Sequence, residues 1–456
     1  MPSCRSVTPT GRHTPTISKP FAVDSAVTSE QLVSLPSGLR PVRAPGVDSL
    51  RPNTVRVYAD KPADIGSMLH CFERSLGSGA ADYPALVVGT SGSTGTPKQT
   101  VLSAGALAAS ASATEGYFAG SSGVSDSAQW LLALPAHYVA GAQVLARSVL
   151  AGTTPVIADS VSGGVSFSPS VFLSAVQALS SSRTFISLVP TQLHKLLEAA
   201  DSDPALGSDI HAALGSFTGI LLGGAPASAS LLARAAELSL PVVTTYGSAE
   251  SAGGCLYARY PTYLEALPGV QLRCVSEDSA PEGAGRIYLG GDHIASGYLG
   301  DEQRTAEHFF VDSQGTRWYR TDDYGCLNPE GLSVLGRSDD VIISGGVKIS
   351  ASAVRQALES APAVREAFVV GVPDARWGSA VVAAFTRVGA SGAASGISSG
   401  SHTLDQYLSE LCGQSLGAHA RPKMIVELQD FPVTSTGKPD RAALIKLLIE
   451  RYGKRT

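Results

Sequence analysis

The sequence lacks several features that would each indicate a particular class of protein. None of its six cysteines lies in a Cys-x-x-Cys pair, so a metal framework is not indicated, and scattered cysteines in a chain of 456 residues are typical of reduced thiols. No uninterrupted apolar stretch is long enough to cross a membrane. The net charge of −5 is small, which favours neither a nucleic-acid partner nor a membrane surface. We therefore expect a cytoplasmic protein.

Aromatic residues are also scarce, at 6%, whereas 44% of the residues are apolar. That balance is typical of a globular α/β protein, and the length allows two or more domains. The first 23 residues contain Arg5, Arg12 and Lys19 but no acidic residue. A transit peptide shares that character, as does a disordered leader or a start codon placed too far upstream. We expect residues 1–45 to form a disordered leader.

Short apolar runs alternate with helical patterns between residues 85 and 250. Such alternation predicts a largely parallel sheet covered by helices. Between 268 and 349, closely spaced strand patterns with glycine turns predict a β-rich part. A smaller α/β unit follows, interrupted at 389–402 by a loop rich in Gly, Ser and Ala. The predicted fold class is therefore α/β, with helix-covered mixed sheets in a large N-terminal domain and a small C-terminal α/β domain.

The stretch "VVGTSGSTGTPKQT" at 87–100 places glycines, hydroxyls and one lysine directly after a predicted strand. A flexible turn with many N–H and O–H donors is suited to binding an anion, most commonly a phosphate. It is not a Walker A loop, because Thr96 and Pro97 separate Gly95 from Lys98, whereas that motif ends in Gly-Lys-Ser/Thr. The alternative is an ordinary surface turn rich in Ser and Gly.

Four further motifs follow along the chain: "TTYGSAE" at 244–250, "YRTDDYG" at 319–325, "LGRSDDVIISGG" at 335–346 and "PVTSTGKPDR" at 432–441. Together with the loop, in this order and spacing, they resemble the motifs of adenylate-forming enzymes, which include acyl-CoA synthetases, adenylation domains and luciferase-like ligases. The resemblance extends from about residue 85 to the C-terminus. It implies activation of a carboxylate by ATP with Mg²⁺ to an acyl-adenylate, followed by transfer to a thiol such as that of CoA.

The resemblance implies a role for each motif. Tyr246 would lie against adenine, and Asp323 would accept the ribose hydroxyls, with Arg337 on the same sugar or a phosphate. Glu250 would hold Mg²⁺, and Lys438 would contact the carboxylate and the α-phosphate. The implied ATP/AMP-binding set comprises Thr90, Ser91, Gly92, Ser93, Thr94, Gly95, Thr96, Lys98, Gly223, Gly224, Ala225, Tyr246, Gly247, Asp323 and Arg337. Taken singly, Glu250 could be a helix N-terminal acid, Asp323 a turn residue and Lys438 a solvated lysine.

Two positions depart from the family pattern. Ala249 stands where the family usually has a hydroxyl residue, so one expected phosphate contact is missing. Asp322 stands where the family usually has glycine, which adds a like charge beside Asp323. Neither removes a principal group, but both affect the expected rate.

The resemblance also divides the chain. It implies a large AMP-binding domain at 46–338, a small mobile domain at 339–456 and a hinge at Asp339, although Asp339 could equally cap a turn. Two half-reactions at one site require different faces of the small domain, which a hinge provides. The run "SGGVKI" at 344–349 would form the thiol face, with Gly345, Gly346 and Lys348 as the expected CoA-binding residues.

A narrower resemblance, to the short o-succinylbenzoate–CoA ligases of menaquinone biosynthesis, rests on the Pro-Ala-His segment at 135–137 and the Ala-Gly-Gly-Cys run at 252–255. It implies 2-succinylbenzoate, ATP and CoA as substrates. Such an acid requires an aryl slot and a partner for its second carboxylate. The candidates, with His137 also a possible catalytic or gating residue, are His137, Arg147, His194, Lys195, Ser251, Gly253 and Gly254. The sequence does not decide whether His137 is packed or Arg147 is a buried structural arginine.

Other interpretations remain open at this point. The chain could be another aryl- or acyl-acid–CoA ligase, or a stand-alone adenylation enzyme that loads a carrier protein. It could also be an inactive homologue that binds nucleotide, although retention of Glu250, Asp323 and Lys438 argues against that. A homodimer is possible, and no nucleic-acid or membrane partner is expected.

Overall fold

The computed structural model describes residues 38–58, 61, 63–90, 98–119, 127–162, 164–277, 280–281, 283–388, 404–433 and 439–454. The α-helices within these ranges are Ile65–Leu76, Ala104–Ala119, Val139–Ala151, Asp159–Ser162, Pro169–Gln177, Pro190–Ser202, Pro204–Gly215, Ala229–Glu237, Glu302–His308, Ala351–Glu359, Leu404–Leu416 and Arg441–Gly453. Short 3₁₀ turns occur at Val47–Ser49, Ala249–Ser251, Ser338–Asp340 and Ala418–Ala420. None of the helices in these ranges is long and apolar enough to span a bilayer.

A seven-stranded sheet forms the centre of the first half of the chain. In spatial order its strands are Glu265–Ala266, Gly253–Ala258, Val242–Ser248, Gly219–Leu222, Thr184–Leu188, Gln129–Leu132 and Val156–Ile157. The last five strands in this order are parallel, as the alternating pattern predicts. The strands that are buried along their whole length are Gln129–Leu132, Thr184–Leu188 and Gly219–Leu222. Burial on both faces explains their continuous apolar runs, because helices cover both sides of such a sheet.

Some helices in this region begin at a proline. Pro190 begins the helix Pro190–Ser202, since a proline in the first turn has no N–H for which the helix would need a partner. Helix Ala104–Ala119 was not predicted, because its Ala- and Ser-rich sequence has a single charged residue, Glu115, and therefore no clear polar face.

Two sheets make the β-rich part, and the first is antiparallel, whereas the second is mixed because its strands Val55–Tyr58 and Pro84–Thr90 run parallel. One contains, in order, Arg40–Pro41, Phe309–Val311, Arg317–Asn328, Gly285–Gly290 and Gln271–Val275, with Gly331–Arg337 also paired to the long strand 317–328. The other contains Gly297–Tyr298, Lys98–Ser103, Pro84–Thr90 and Val55–Tyr58. Closely spaced strands with glycine turns were predicted here for 268–349.

The C-terminal part is a small α/β unit. Its sheet is Val364–Asp374, Gly378–Arg387 and Met424–Leu428, and separate hydrophobic clusters pack on the two faces. A hairpin of Val341–Ser344 and Val347–Ser350 precedes it. The last helix, Arg441–Gly453, begins one residue after Asp440, whose side chain accepts a hydrogen bond from the Ala443 N–H.

The last residues of the expected disordered leader, 40–45, are ordered in the structure. Residues 40 and 41 pair with strand Phe309–Val311, the Ala44 N–H donates to Glu302 Oε2 at 2.9 Å, and the Pro45 carbonyl accepts from Gly300 N–H. Residues 40–45 thus belong to the packed large unit. Residues 1–37 and the predicted loop at 389–402 lie outside the described residues.

Candidate active site

A pocket of about 410 Å³, counted out to its open mouth, lies where the parallel sheet meets the β-rich part. Its walls come from the end of strand Val242–Ser248, the start of strand Lys98–Ser103 and the middle of strand Arg317–Asn328. The lining residues are Lys98, Tyr246, Gly247, Ser248, Glu250, Leu289, Tyr319, Thr321, Asp322, Asp323 and Arg337. Most of the positions singled out in three separate motifs therefore converge on one cavity.

Tyr246 and Asp323 are joined directly. The Tyr246 hydroxyl donates to Asp323 Oδ2 at 2.6 Å, and the Asp323 N–H donates to Thr321 Oγ1 at 3.0 Å. Burial raises the pKa of Asp323, the Tyr246 hydrogen bond and Arg337 oppose that rise, and Asp322 adds to it. Burial also raises the pKa of Tyr246 well above its usual range. The pair thus places an aromatic ring beside a carboxylate, which suits a nucleoside.

Glu250 lies in the 3₁₀ turn after strand Val242–Ser248 and is 7% exposed. Tyr298 donates its hydroxyl proton to Glu250 Oε1 at 2.8 Å. The Lys98 ammonium nitrogen lies 5.4 Å from the centroid of the same Tyr298 ring. Tyr298 therefore holds the Glu250 carboxylate on one side and contacts the Lys98 cation on the other.

Glu250 fits the Mg²⁺ role as a single protein carboxylate. Within the described ranges no group of three or more His, Cys, Asp or Glu side chains could hold a metal ion. Mg²⁺ at nucleotide sites is commonly bound by one or two carboxylates, with phosphates and water supplying its other ligands. The donor set is therefore compatible with a metal that arrives with a nucleotide.

Lys98, Asp322, Arg337 and Asp339 form a chain of charges at the pocket mouth. Asp322 Oδ2 lies 3.9 Å from Lys98 Nζ and 3.3 Å from Arg337 Nη2, and Arg337 Nε donates to Asp339 Oδ1 at 2.8 Å. The neighbouring carboxylates raise the pKa of Arg337 despite its burial. Two cations and two carboxylates thus alternate beside Asp323.

Two models of known protein families match the chain. The profile described as AMP-binding enzyme matches residues 27–299, and that of the AMP-binding enzyme C-terminal domain matches residues 354–438. The chain belongs to the AMP-binding enzyme family. The adenylate-forming resemblance is thereby confirmed, and so is the predicted α/β fold class, since the structural neighbours share it.

Several named relatives cover most of the chain. A protein of Mycobacterium tuberculosis named "Probable 2-succinylbenzoate--CoA ligase" is 37% identical over 374 residues, which is 81% of this chain and 86% of the relative. The 2-succinylbenzoate–CoA ligase of Enterococcus faecalis is 30% identical over 78% of this chain and 67% of its own length.

Several solved structures are also similar to this chain. The o-succinylbenzoate CoA synthetase (MenE) of Bacillus subtilis in complex with the acyl-adenylate intermediate OSB-AMP has a TM-score of 0.63 and 28% identity, covering 80% of this chain and 69% of that one. The same enzyme in complex with ATP and magnesium ion has a TM-score of 0.62. MatB of Rhodopseudomonas palustris, at 24% identity and a TM-score of 0.65 over 82% of this chain and 70% of that one, shares the fold.

The glycines of the family motifs lie where side chains would not fit. A Cβ on Gly247 would come 2.0 Å from the Gly253 carbonyl oxygen, and one on Gly223 would come 2.3 Å from Thr245 Oγ1. Gly224 has φ +79°, a conformation that favours glycine. Gly223, Gly224 and Ala225 follow strand Gly219–Leu222, beside the strand that carries Tyr246, but outside the pocket lining.

Two of the residues proposed for the acid, Arg147 and Ser251, are buried. Arg147, 6% exposed, donates to Thr114 Oγ1 at 3.0 Å and stacks over Trp130, and its Nε has no hydrogen-bond partner among the described residues. Ser251 is committed to its own turn, because it donates to the Gly253 carbonyl at 2.8 Å and accepts from Ser248 N–H.

Near that turn, Gly253 has φ +100°, and a Cβ on Gly254 would come 2.9 Å from Thr245 Cβ. The His137 ring packs at 4.4 Å, centroid to centroid, on Tyr138, just before helix Val139–Ala151. Neither His137 nor Arg147 lines the nucleotide pocket.

Two other candidates lie on the outer helix Pro190–Ser202. Lys195 Nζ donates to the Phe167 carbonyl at 2.8 Å, and His194 pairs with Glu198 one turn later at 3.3 Å. Burial lowers the pKa of His194, an effect that Glu198 opposes. The structure does not bring His194 or Lys195 to the pocket, so it offers no support for their role at the second carboxylate.

The predicted thiol face lies on the small unit. Gly345 and Gly346, both at positive φ, turn the hairpin, and the Gly345 N–H donates to the Trp377 carbonyl at 2.9 Å. Lys348 is exposed on the returning strand. The Trp377 ring lies 4.8 Å from Arg376 and from Lys423. Sequence reasoning missed this aromatic and basic group.

Tyr298 was also missed, because it lies in a two-residue strand, Gly297–Tyr298, with no motif signal that separates it from other loop tyrosines. Most of the phosphate loop, residues 91–97, lies outside the described residues, as does Lys438. The flanking strands are antiparallel, and the backbone of Thr90 lies opposite Lys98, which lines the pocket.

Proposed function

We propose that this protein is a 2-succinylbenzoate–CoA ligase that acts in menaquinone biosynthesis. It activates the acid with ATP to an acyl-adenylate and pyrophosphate, then transfers the acyl group to CoA with release of AMP. The convergence of Tyr246, Glu250, Asp323 and Arg337 on one pocket is the observation that carries this proposal. The 2-succinylbenzoate–CoA ligase names of its relatives identify the acid and the thiol.

The chain's own residues bind and orient the nucleotide. Asp323 accepts the ribose hydroxyls through the oxygen that Tyr246 leaves available, and the Tyr246 ring provides a flat surface for adenine. Lys98 and Arg337 neutralise phosphate charge. Glu250, oriented by the Tyr298 hydroxyl, holds Mg²⁺, which when bound spreads the negative charge of the leaving pyrophosphate.

The acid and the thiol approach from different sides. We place the aryl group of the acid beside Gly253 and Gly254, with His137 at the entrance and the buried Arg147 guanidinium as the partner for the second carboxylate. CoA binds on the hairpin tip, where Gly345 and Gly346 leave room for the thiol. Lys348 and the cations around Trp377 supply positive charge for its phosphates.

Three further statements stay predictions: the division into domains at 46–338 and 339–456, the homodimer and the cytoplasmic location. The division is compatible with the separate hydrophobic clusters of the C-terminal unit.

A panel of acids supplied with ATP and CoA tests the proposal. We expect 2-succinylbenzoate to exceed benzoate and medium-chain fatty acids by at least about 100-fold in kcat/KM, because analogues without the second carboxylate leave a buried cation unpaired. Pyrophosphate, AMP and thioester are measured together, so that pyrophosphate release without thioester would indicate a stand-alone adenylation enzyme. Equal turnover of benzoate would contradict the substrate assignment, and no pyrophosphate with any acid would favour an inactive homologue.

A further inference from the structure

The pocket contains a carboxylate that the family pattern does not provide. Asp322 lines the cavity and is paired with cations from two other elements, Lys98 at 3.9 Å and Arg337 at 3.3 Å. Lys98 begins the strand that follows the phosphate loop, and Arg337 ends strand Gly331–Arg337. These are two of the cations that the nucleotide needs.

The surroundings keep Asp322 ionised. Burial alone would raise its pKa, but His308, Arg337, Lys98 and Arg286 together lower it. The side chain of Asp322 is 25% exposed and that of Lys98 is 18% exposed, so water screens their pairing only in part. No other ion pair is recorded for Lys98 within the described ranges, whereas Arg337 also binds Asp339.

We propose that Asp322 is a positioning residue that acts through Lys98 and Arg337. It holds two long cationic side chains in place before ATP arrives, so less rotamer entropy is lost in the adenylation transition state. Its negative charge also offsets one positive charge in the pocket, and its carboxylate competes with phosphate oxygens for Lys98. Both effects weaken ground-state binding of ATP. The inference rests on the proposed binding of ATP.

The test compares binding of ATP with binding of adenosine by calorimetry in the full-length wild type and in Asp322→Asn. We expect Asp322→Asn to bind ATP roughly tenfold more tightly and adenosine unchanged, because only ATP carries the phosphates that the lost charge repelled. Asp322→Glu keeps the charge and should bind ATP as the wild type does. Asp201→Asn, which removes a carboxylate paired with Arg234 on the outer surface, should change neither constant.

Two further measurements separate positioning from a structural role. In a Lys98→Ala background the gain in ATP affinity from Asp322→Asn should shrink, since residues that act through one another are not additive. With saturating 2-succinylbenzoate, kcat for pyrophosphate release should fall roughly tenfold in Asp322→Asn, so kcat and KM for ATP fall together.

The proposal requires all of these changes. Parallel weakening of ATP and adenosine binding with a lower Tm would show a structural role, and an equal gain with and without Lys98, or an unchanged kcat, would also overturn it. A wild-type enzyme that binds ATP but fails to activate 2-succinylbenzoate would contradict the proposed function alone. The binding measurements would then still decide the role of Asp322.

Discussion

Glu250 and Asp323 each accept a hydrogen bond from a tyrosine hydroxyl, Tyr298 for the first and Tyr246 for the second. A phenol that donates to one carboxylate oxygen fixes the orientation of the group while the other oxygen stays available to a ligand. In the proposed function, the two tyrosines would orient the two carboxylates for Mg²⁺ and for ribose. Both tyrosines are neutral donors, so they add no charge to a pocket that we propose binds a polyanion.

Lys438 is another single residue with an expected role, since its ammonium group would contact the α-phosphate and the attacking carboxylate. We expect Lys438→Ala to lose adenylation by about 100- to 1000-fold, because one preorganised donor to a charged transition state contributes that much. The variant should still convert synthetic acyl-adenylate and CoA to the thioester, because the proposed rotation of the small domain would have moved Lys438 away by that step. Pyrophosphate release and thioester formation are assayed separately.

Lys446→Ala is the matched control for this measurement, because Lys446 is an exposed lysine on the following helix, Arg441–Gly453. It should leave both half-reactions unchanged. Normal adenylation by Lys438→Ala would show that the motif at 432–441 is assigned incorrectly.

Among the elements, the long strand Arg317–Asn328 is joined to a neighbouring strand by a partly buried ion cluster. Glu277 accepts from Arg286 Nη2 at 2.9 Å and from Arg320 Nη2 at 3.0 Å, and Arg286 also donates to the Tyr324 hydroxyl at 2.8 Å. The Arg286 side chain is 6% exposed. One carboxylate thus neutralises two arginines that connect this strand to Gly285–Gly290.

Glu277→Gln should lower the free energy of unfolding at pH 7 by about 2 kcal/mol, because it leaves the Arg286 charge buried without a counter-charge. That figure is below the range for fully buried pairs, since the Glu277 side chain is 21% exposed. Urea unfolding at several pH values measures it.

The pH dependence has a definite sign. Burial alone would raise the pKa of Glu277, but Arg286 and Arg320 lower it below its ordinary value of 4.5. Its stabilisation is therefore present above pH 4.5 and is lost as the pH falls through the lowered folded pKa. The difference in free energy of unfolding between the wild type and Glu277→Gln should be largest near neutral pH and should disappear in acid.

Glu237→Gln is the control, because Glu237 forms an exposed pair with Arg234, and it should change the free energy of unfolding by less than about 0.5 kcal/mol. A pH-independent difference between the wild type and Glu277→Gln would show that the hydrogen bonds, rather than the charge, stabilise this strand.

On the scale of the whole molecule, Asp339 is the proposed hinge between two units. Ser350 on the small side donates to the Leu335 carbonyl at 2.7 Å, and Arg365 lies 4.0 Å from Glu198 on the large side. Asp340 pairs with Arg441 at the start of the last helix. Among the described residues, the polar contacts recorded across the proposed hinge are partly buried or exposed pairs such as the first two of these, which suits a joint that would open between half-reactions.

Asp339→Pro tests that motion. Proline fixes φ, so the small domain should rotate less freely, and thioester formation should fall sharply while acyl-adenylate formation survives. The expectation holds for an enzyme that rests in its adenylating arrangement. Single-turnover assays of each half-reaction provide the measurement.

Asp339→Ala controls for the lost carboxylate, since it removes the 2.8 Å contact with Arg337 without fixing φ. It should affect thioester formation much less than Asp339→Pro does. Equal loss of both half-reactions in the proline variant would indicate misfolding or a misplaced hinge.

Much of the parallel sheet was predictable, because fully buried strands such as Thr184–Leu188 have continuous apolar sequences and Pro190 marks a helix start. Helix Ala104–Ala119 was not, since the residues on its exposed face, such as Ser112, Gly116 and Ala119, are small and uncharged, so no polar face marks the helical period. The strand Arg40–Pro41 was also missed, because two residues pair through their backbone and leave no side-chain pattern.

The sequence by itself determined the chemistry of this protein: the order of its motifs, the residue types that nucleotide activation requires and the alternation that builds the sheet. These follow from local rules, since propensity, turn chemistry and motif spacing act over a few residues. Only the tertiary structure decided that Tyr298 orients Glu250, that Asp322 pairs with Lys98 across more than 220 positions, and that His194 and Lys195 lie away from the pocket. Such partnerships depend on how distant strands are aligned, and the alignment is set by packing of the whole core, which no local pattern encodes.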